Sequence, residues 1–138
     1  MTNTDTDDRP KALLIEDDAV FRQIVTISLG KRGYDVVDVE SFEAGLEAID
    51  AGDFSFVMTD IFMEGMGGIA GIKVLKDRFP TLPVIAISGG WGELAPESAI
   101  EAAQRIGADA GVKNPISAVD FDAALKQIGR GEPISNLT

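Results

Sequence analysis

Residues 55–63 read "SFVMTDIFM", an apolar run broken by one acid, Asp60, with Ile61, Phe62 and Met63 following at once. A carboxylate is costly to take out of water, so an acid set among core-type residues is paired, neutralised or metal-bound. The first part of the stretch, "SFVMTD", has the length and composition of a strand. Asp60 is therefore a carboxylate delivered by a core strand to its own end, and the rest of the chain has to explain it.

Working outward, the same unit recurs. "KALLIE" at residues 11–16 is a short run of buried-strand type, and "DDAVFRQIVTISLGKRG" after it reads as a helix. Asp18 is its N-cap, Phe21, Ile24, Val25 and Leu29 share one face, Lys31 and Arg32 occupy the last turn, and Gly33 stops it. "YDVVDV" is a strand, followed by a helix marked by Phe42, Leu46 and Ile49 that stops at Gly52. After "SFVMTD" comes a helix, "IAGIKVLKDRF", with Ile69, Ile72, Leu75 and Phe79 on one side. "LPVIAIS" is a strand, and "PESAIEAAQRIG" is a helix entered through Pro96 and left through Gly107. "ADAGVK" is a weak strand. Ser117 with Asp120 then opens a last helix whose buried stripe is Phe121, Ala124, Leu125 and Ile128. Five β-α units predict an α/β fold, a five-stranded parallel sheet with helices on both faces. An α+β arrangement is the weaker alternative to so regular an alternation.

Composition bounds what the fold can do. The 138 residues suffice for one domain, expected over residues 11–129, with a disordered lead at 1–10 and a flexible tail at 130–138. The acidic, polar start is the reverse of a signal peptide, and no apolar run approaches the length of a membrane span, so a cytoplasmic protein is expected. The chain has no cysteine and no histidine, which excludes disulfides, zinc thiolates and imidazole chemistry. A net charge of −11 disfavours direct binding to nucleic acid. Chemistry is left to carboxylates, hydroxyls, amides and lysines.

Ligands of such sheets bind at the carboxyl ends of the strands, where strand order reverses. The first strand ends in Glu16 and Asp17, the third in Asp60, the fourth in Ser88 and the fifth near Lys113. With order 2-1-3-4-5 the first and third strands are neighbours and three carboxylates converge. They repel one another unless a cation neutralises them, and oxygen-only ligands of this kind suit Mg²⁺. A hydroxyl and an ammonium on the flanking strands complete a seat for a phosphoryl group on Asp60.

The stretches "LLIEDD", "VMTDIFM", "VIAISGG" and "GADAGVKNP" together resemble a response regulator receiver domain, over roughly residues 11–128. The resemblance implies a flavodoxin-like three-layer αβα fold. It implies Glu16 and Asp17 as the acidic metal-binding pair, Asp60 as phosphoacceptor and a further Mg²⁺ ligand, and Phe62 as the residue whose backbone carbonyl ligates the metal. Ser88 matches the Ser/Thr that turns toward the phosphoryl group. The implied partners are a histidine kinase or histidine phosphotransfer protein upstream and a protein target downstream, with signalling by contact through the fourth helix, fifth strand and fifth helix. No catalytic activity is implied beyond self-phosphorylation and self-dephosphorylation. A single-domain response regulator is the expectation, with a weak dimer left open.

The chain departs from that pattern in three places. The loop "IFMEGMGG" carries Glu64 where the family usually has Pro and Gly67 where it usually has Asp. The family's Lys-Pro at the end of the fifth strand falls on Asn114 and Pro115, with Lys113 one residue early, so either Lys113 or Asn114 faces the site; the Asn114–Pro115 bond is a candidate for the family's cis geometry. The aromatic that many receivers carry in that strand falls on Gly111, and Trp91 in "GGWGELAPE" is a candidate to take over part of its role. These departures sustain a rival reading, a pseudo-receiver that binds a partner without phosphorylation. A phosphohydrolase using Asp60 as nucleophile needs a second acid where Phe62 stands, and neither a P-loop nor a Rossmann glycine pattern occurs.

Overall fold

The structure, a computed structural model, describes residues 9–61, 68–88 and 96–129. Its strands are β1 (Lys11–Ile15), β2 (Asp35–Val39), β3 (Phe56–Asp60), β4 (Val84–Ser88) and β5 (Ala110–Lys113). Its helices are α1 (Ala19–Lys31), α2 (Phe42–Ala51), α3 (Gly68–Arg78), α4 (Pro96–Ile106) and α5 (Ala118–Gln127). The strands form one parallel sheet in the order β2-β1-β3-β4-β5, the topology the sequence predicts.

Local chemistry sets the helix ends. The side chains of Asp18, Ser41 and Ser117 accept hydrogen bonds from the backbone N–H groups of Phe21, Ala44 and Asp120 at 3.0, 3.1 and 3.1 Å. Each cap satisfies a donor that the helix leaves unpaired. After α1, Gly33 adopts φ 93°, a left-handed conformation that a Cβ would penalise.

Alternation along the strands divides the core in two. Leu14 of β1 points with Phe56, Met58, Ile85 and Val112 into a layer completed by Val25 and Leu29 of α1 and by Phe121 and Leu125 of α5. Leu13 and Ile15 point the other way, with Val57, Val84 and Ala86, toward Phe42 of α2, Ile72 and Leu75 of α3, and Ala99 and Ala103 of α4. A strand covered on both faces has no polar side, which is why the interiors of β1, β3 and β4 are apolar on both alternating sets of positions. Tyr34 packs edge-on against Phe56 with ring centroids 5.2 Å apart.

One residue of the expected core stripe is misplaced. Ile24 does not join Val25 and Leu29 in the core; it is 57% exposed, along with Val20 and Ile27 on the same side of α1. Spacings of three and four suit either edge of a wide stripe, and the sheet accepts the edge that carries Val25 and Leu29. Among the described residues, no helix is long and apolar enough to cross a membrane.

Candidate functional site

β1 lies between β2 and β3, so the chain leaves it in one direction and re-enters the sheet on its other side. The carboxyl ends of β1 and β3 therefore flank the point where strand order reverses. The register pairs Ile15 with Thr59. One residue further along, Glu16 and Asp60 come together. With Asp17 they offer carboxylate oxygens that all lie within 4.8 Å of one another.

The three acids differ in setting. Glu16 is buried, Asp60 half-buried and Asp17 exposed. Glu16 is held by its backbone, its N–H donating to Val39 O at 3.0 Å and its carbonyl accepting from Arg22 Nη1 at 2.8 Å. Its Oε2 accepts from the backbone N–H of Asp18 at 3.0 Å, while Oε1 is buried with no hydrogen-bond partner among the described residues. Burial pushes the Glu16 carboxyl up to about 8; the Asp18 N–H pulls against this, and the neighbouring acids Asp60 and Asp17 add to it. A buried carboxylate beside two further acids, with oxygens this close together, is the donor set of a hard divalent cation. Glu16, Asp17 and Asp60 therefore fit Mg²⁺ by chemistry as well as by spacing.

Ser88 ends β4, fully buried, and its hydroxyl has no hydrogen-bond partner among the described residues. Its carbonyl accepts from the backbone N–H of Asn114 at 2.8 Å, tying β4 to the turn after β5, where the Asn114–Pro115 bond is cis. Lys113 pairs with Ser88 in the sheet register. It follows Gly111 onto the side that α4 covers and lines a groove between α4 and α5 with Gln104 and Asp120. Asn114 is half-buried. Phe62, Glu64 and Trp91 lie outside the described residues.

Sequence reasoning passed over Arg22. One turn into α1, it braces the site from behind, bonding the Glu16 carbonyl and pairing through Nε with Asp38 Oδ2 at 3.1 Å. Its position four residues after the Asp18 cap was the available signal, since that places it over the helix entrance.

The family model described as response regulator receiver domain matches residues 12–126. Among curated proteins, the chain is 36% identical over 103 residues to the response regulator protein FleR of Pseudomonas aeruginosa, covering 75% of this chain and 21% of FleR. It is 27% identical over 124 residues to the photosynthetic apparatus regulatory protein RegA of Rhodovulum sulfidophilum, covering 90% of this chain and 66% of RegA. Thus it spans about a fifth of the one and two thirds of the other. Among solved structures, a response regulator receiver domain protein from Clostridium thermocellum superposes with a TM-score of 0.76 at 24% identity, covering 89% of this chain and 97% of that one.

Proposed function

This chain belongs to the response regulator receiver domain family of two-component signalling, and on that premise we propose that Asp60 accepts a phosphoryl group from a histidine kinase or a histidine phosphotransfer protein. The observation that carries the reading is the convergence of Glu16, Asp17 and Asp60 at the reversal of strand order.

In the proposed step an Asp60 carboxylate oxygen attacks the phosphorus of phosphohistidine. The O–P bond forms as the N–P bond breaks, and the leaving imidazole takes up a proton. Attack of water on phosphorus later returns the carboxylate and inorganic phosphate. Glu16, Asp17 and Asp60 would hold Mg²⁺, whose positive charge would offset repulsion between the incoming phosphoryl oxygens and the acids. Arg22 fixes the position of Glu16 through its carbonyl, and the buried Ser88 hydroxyl has a free donor for a phosphoryl oxygen. Turnover of other substrates is not part of the proposal; the output is contact with a protein target across α4, β5 and α5.

A second reading has one observation in its favour. Lys113, one of the two residues expected to face the phosphoryl group, lines the α4–α5 groove. A pseudo-receiver that binds partners without phosphorylation would accommodate that placement. Intact mass after incubation with acetyl phosphate and Mg²⁺ separates the two. A gain of one phosphoryl group, lost in Asp60→Asn, is expected; no gain in the wild type hands the case to the pseudo-receiver.

A further inference from the structure

Gly111 stands in the middle of β5 between the buried Ala110 and Val112. Glycine inside a strand costs backbone entropy and offers nothing to pack, so it marks a place where something comes close. What comes close is Ile100 of α4. A Cβ placed on Gly111 would lie 2.4 Å from Ile100 Cγ2 and 3.1 Å from its Cγ1. Both atoms branch from the Ile100 Cβ, and a β-branched side chain in a helix has one strongly preferred χ1. The side chain cannot swing aside cheaply, so unseating it means moving α4.

The seat adjoins the functional site. In the β4–β5 ladder Ala86 pairs with Gly111 and Ser88 with Lys113, so Gly111 and Ser88 are one diagonal step apart on the same face of the sheet. Ile100 itself is half-buried, and among the described residues the buried α4 side chains on that face are alanines, Ala99 and Ala103. Among the described residues, Ile100 is thus the large side chain by which the start of α4 rests on β5. On its outer side lies a groove of about 390 Å³ between α4 and α5, floored by Gly111 and Val112 and rimmed by Glu101, Gln104 and Asp120.

We infer that Ile100 is the positioning residue that links Ser88 to this groove: seated on Gly111 it holds α4 in one place, and leaving that seat re-forms the groove wall. The inference rests on Asp60 being the phosphoacceptor. A glycine has no side chain to rotate, so position 111 cannot itself report the state of the site. A side chain that is either in its slot or out of it supplies the two discrete packings that a switch needs.

The test is methyl and amide NMR of the full chain with ¹³C-labelled isoleucine methyls, with and without beryllofluoride and Mg²⁺. The ¹⁹F signal of protein-bound fluoride records loading of Asp60 independently. In the wild type, loading is expected to shift the Ile100 methyls together with the Gly111 and Gln104 amides. Gly111→Ala is expected to move the Ile100 methyls toward their loaded positions before any beryllofluoride is added. Ile100→Ala is expected to keep the bound-fluoride signal while the Gln104 and Gln127 amide shifts fall by at least half. Should Gly111→Ala fail to fold, the double variant Ile100→Ala/Gly111→Ala, which removes the clashing atoms, is read in its place and should match Ile100→Ala. Bound fluoride with silent Ile100 methyls, or an undiminished groove response in Ile100→Ala, overturns the inference and leaves the phosphoacceptor reading intact. Absence of bound fluoride in the wild type overturns both.

Discussion

The carboxyl groups of Glu16 and Asp60 meet across the seam between β1 and β3, one residue beyond the Ile15–Thr59 pair. The sheet register fixes their separation, so they cannot relax apart as two surface acids would. Glu16 is 1% exposed and cannot shed its charge into water. Without a cation, the pair lowers its energy by keeping a proton.

That proton makes stability depend on pH. Folded Glu16 holds it up to about 8, whereas a glutamate in the unfolded chain releases it near its ordinary 4.5. Between these limits the folded state binds more protons, so the contribution is complete below 4.5 and is lost as pH rises through about 8. In the absence of divalent cations, urea denaturation should show stability falling with pH across this window. The slope for one proton is at most about 1.4 kcal/mol per pH unit. Glu16→Gln should flatten the curve; an equal slope in the variant would locate the proton elsewhere.

The same proton competes with metal. A ligand carboxylate must be deprotonated to bind, so Mg²⁺ affinity should climb with pH and level off near 8. The climb is at most about tenfold per pH unit for one displaced proton. Calorimetry at pH 7 in two buffers of different ionisation enthalpy should register proton release. Heats that do not depend on the buffer would mean that Glu16 is not a ligand.

Arg22 supports the site from α1 through the Glu16 carbonyl and Asp38. Arg22→Ala should cost about 1–2 kcal/mol, mostly from the charge-assisted bond to the carbonyl. Asp38→Ala should cost under about 1 kcal/mol, because the pair is partly exposed and such pairs contribute little. Chemical denaturation of both variants checks the ranking; a larger loss in Asp38→Ala would reverse the assignment.

How much of this was legible beforehand depends on which physical signal each feature leaves in the chain. The sheet was legible, because strands covered on both faces must be continuously apolar and the amphipathic helices between them repeat. The clustering of the acids was legible because β1 runs straight into Glu16 and Asp17, β3 ends at Asp60, and parallel topology brings those ends to one edge. Ile24 was misread because helical spacing gives a stripe but not which edge of it meets the sheet. The placement of Lys113 turned on a single-residue offset at a strand end, where side-chain direction reverses with every step. Ile100 left no signal of its own; the signal was Gly111, a glycine in a strand, and only the packed structure names what fills the space above it.

The last prediction concerns Ser88. Among the described residues its hydroxyl is buried without a hydrogen-bond partner, an arrangement that costs stability in the unmodified protein. Ser88→Ala removes that orphan with little change in volume, so it should leave stability unchanged or raise it by up to about 1 kcal/mol. A ligand shifts an equilibrium only by its differential interaction with the two states. If the hydroxyl is kept for a phosphoryl oxygen, the same variant should still be phosphorylated on Asp60 by acetyl phosphate and Mg²⁺, yet transmit less of the change to α4. The measurements are a thermal melt without metal, intact mass after phosphodonor treatment, and amide exchange of α4 with and without beryllofluoride. A destabilised Ser88→Ala would mean that the hydroxyl is satisfied in the resting state. A variant as stable as the wild type whose α4 responds in full would mean that the hydroxyl takes no part in the switch.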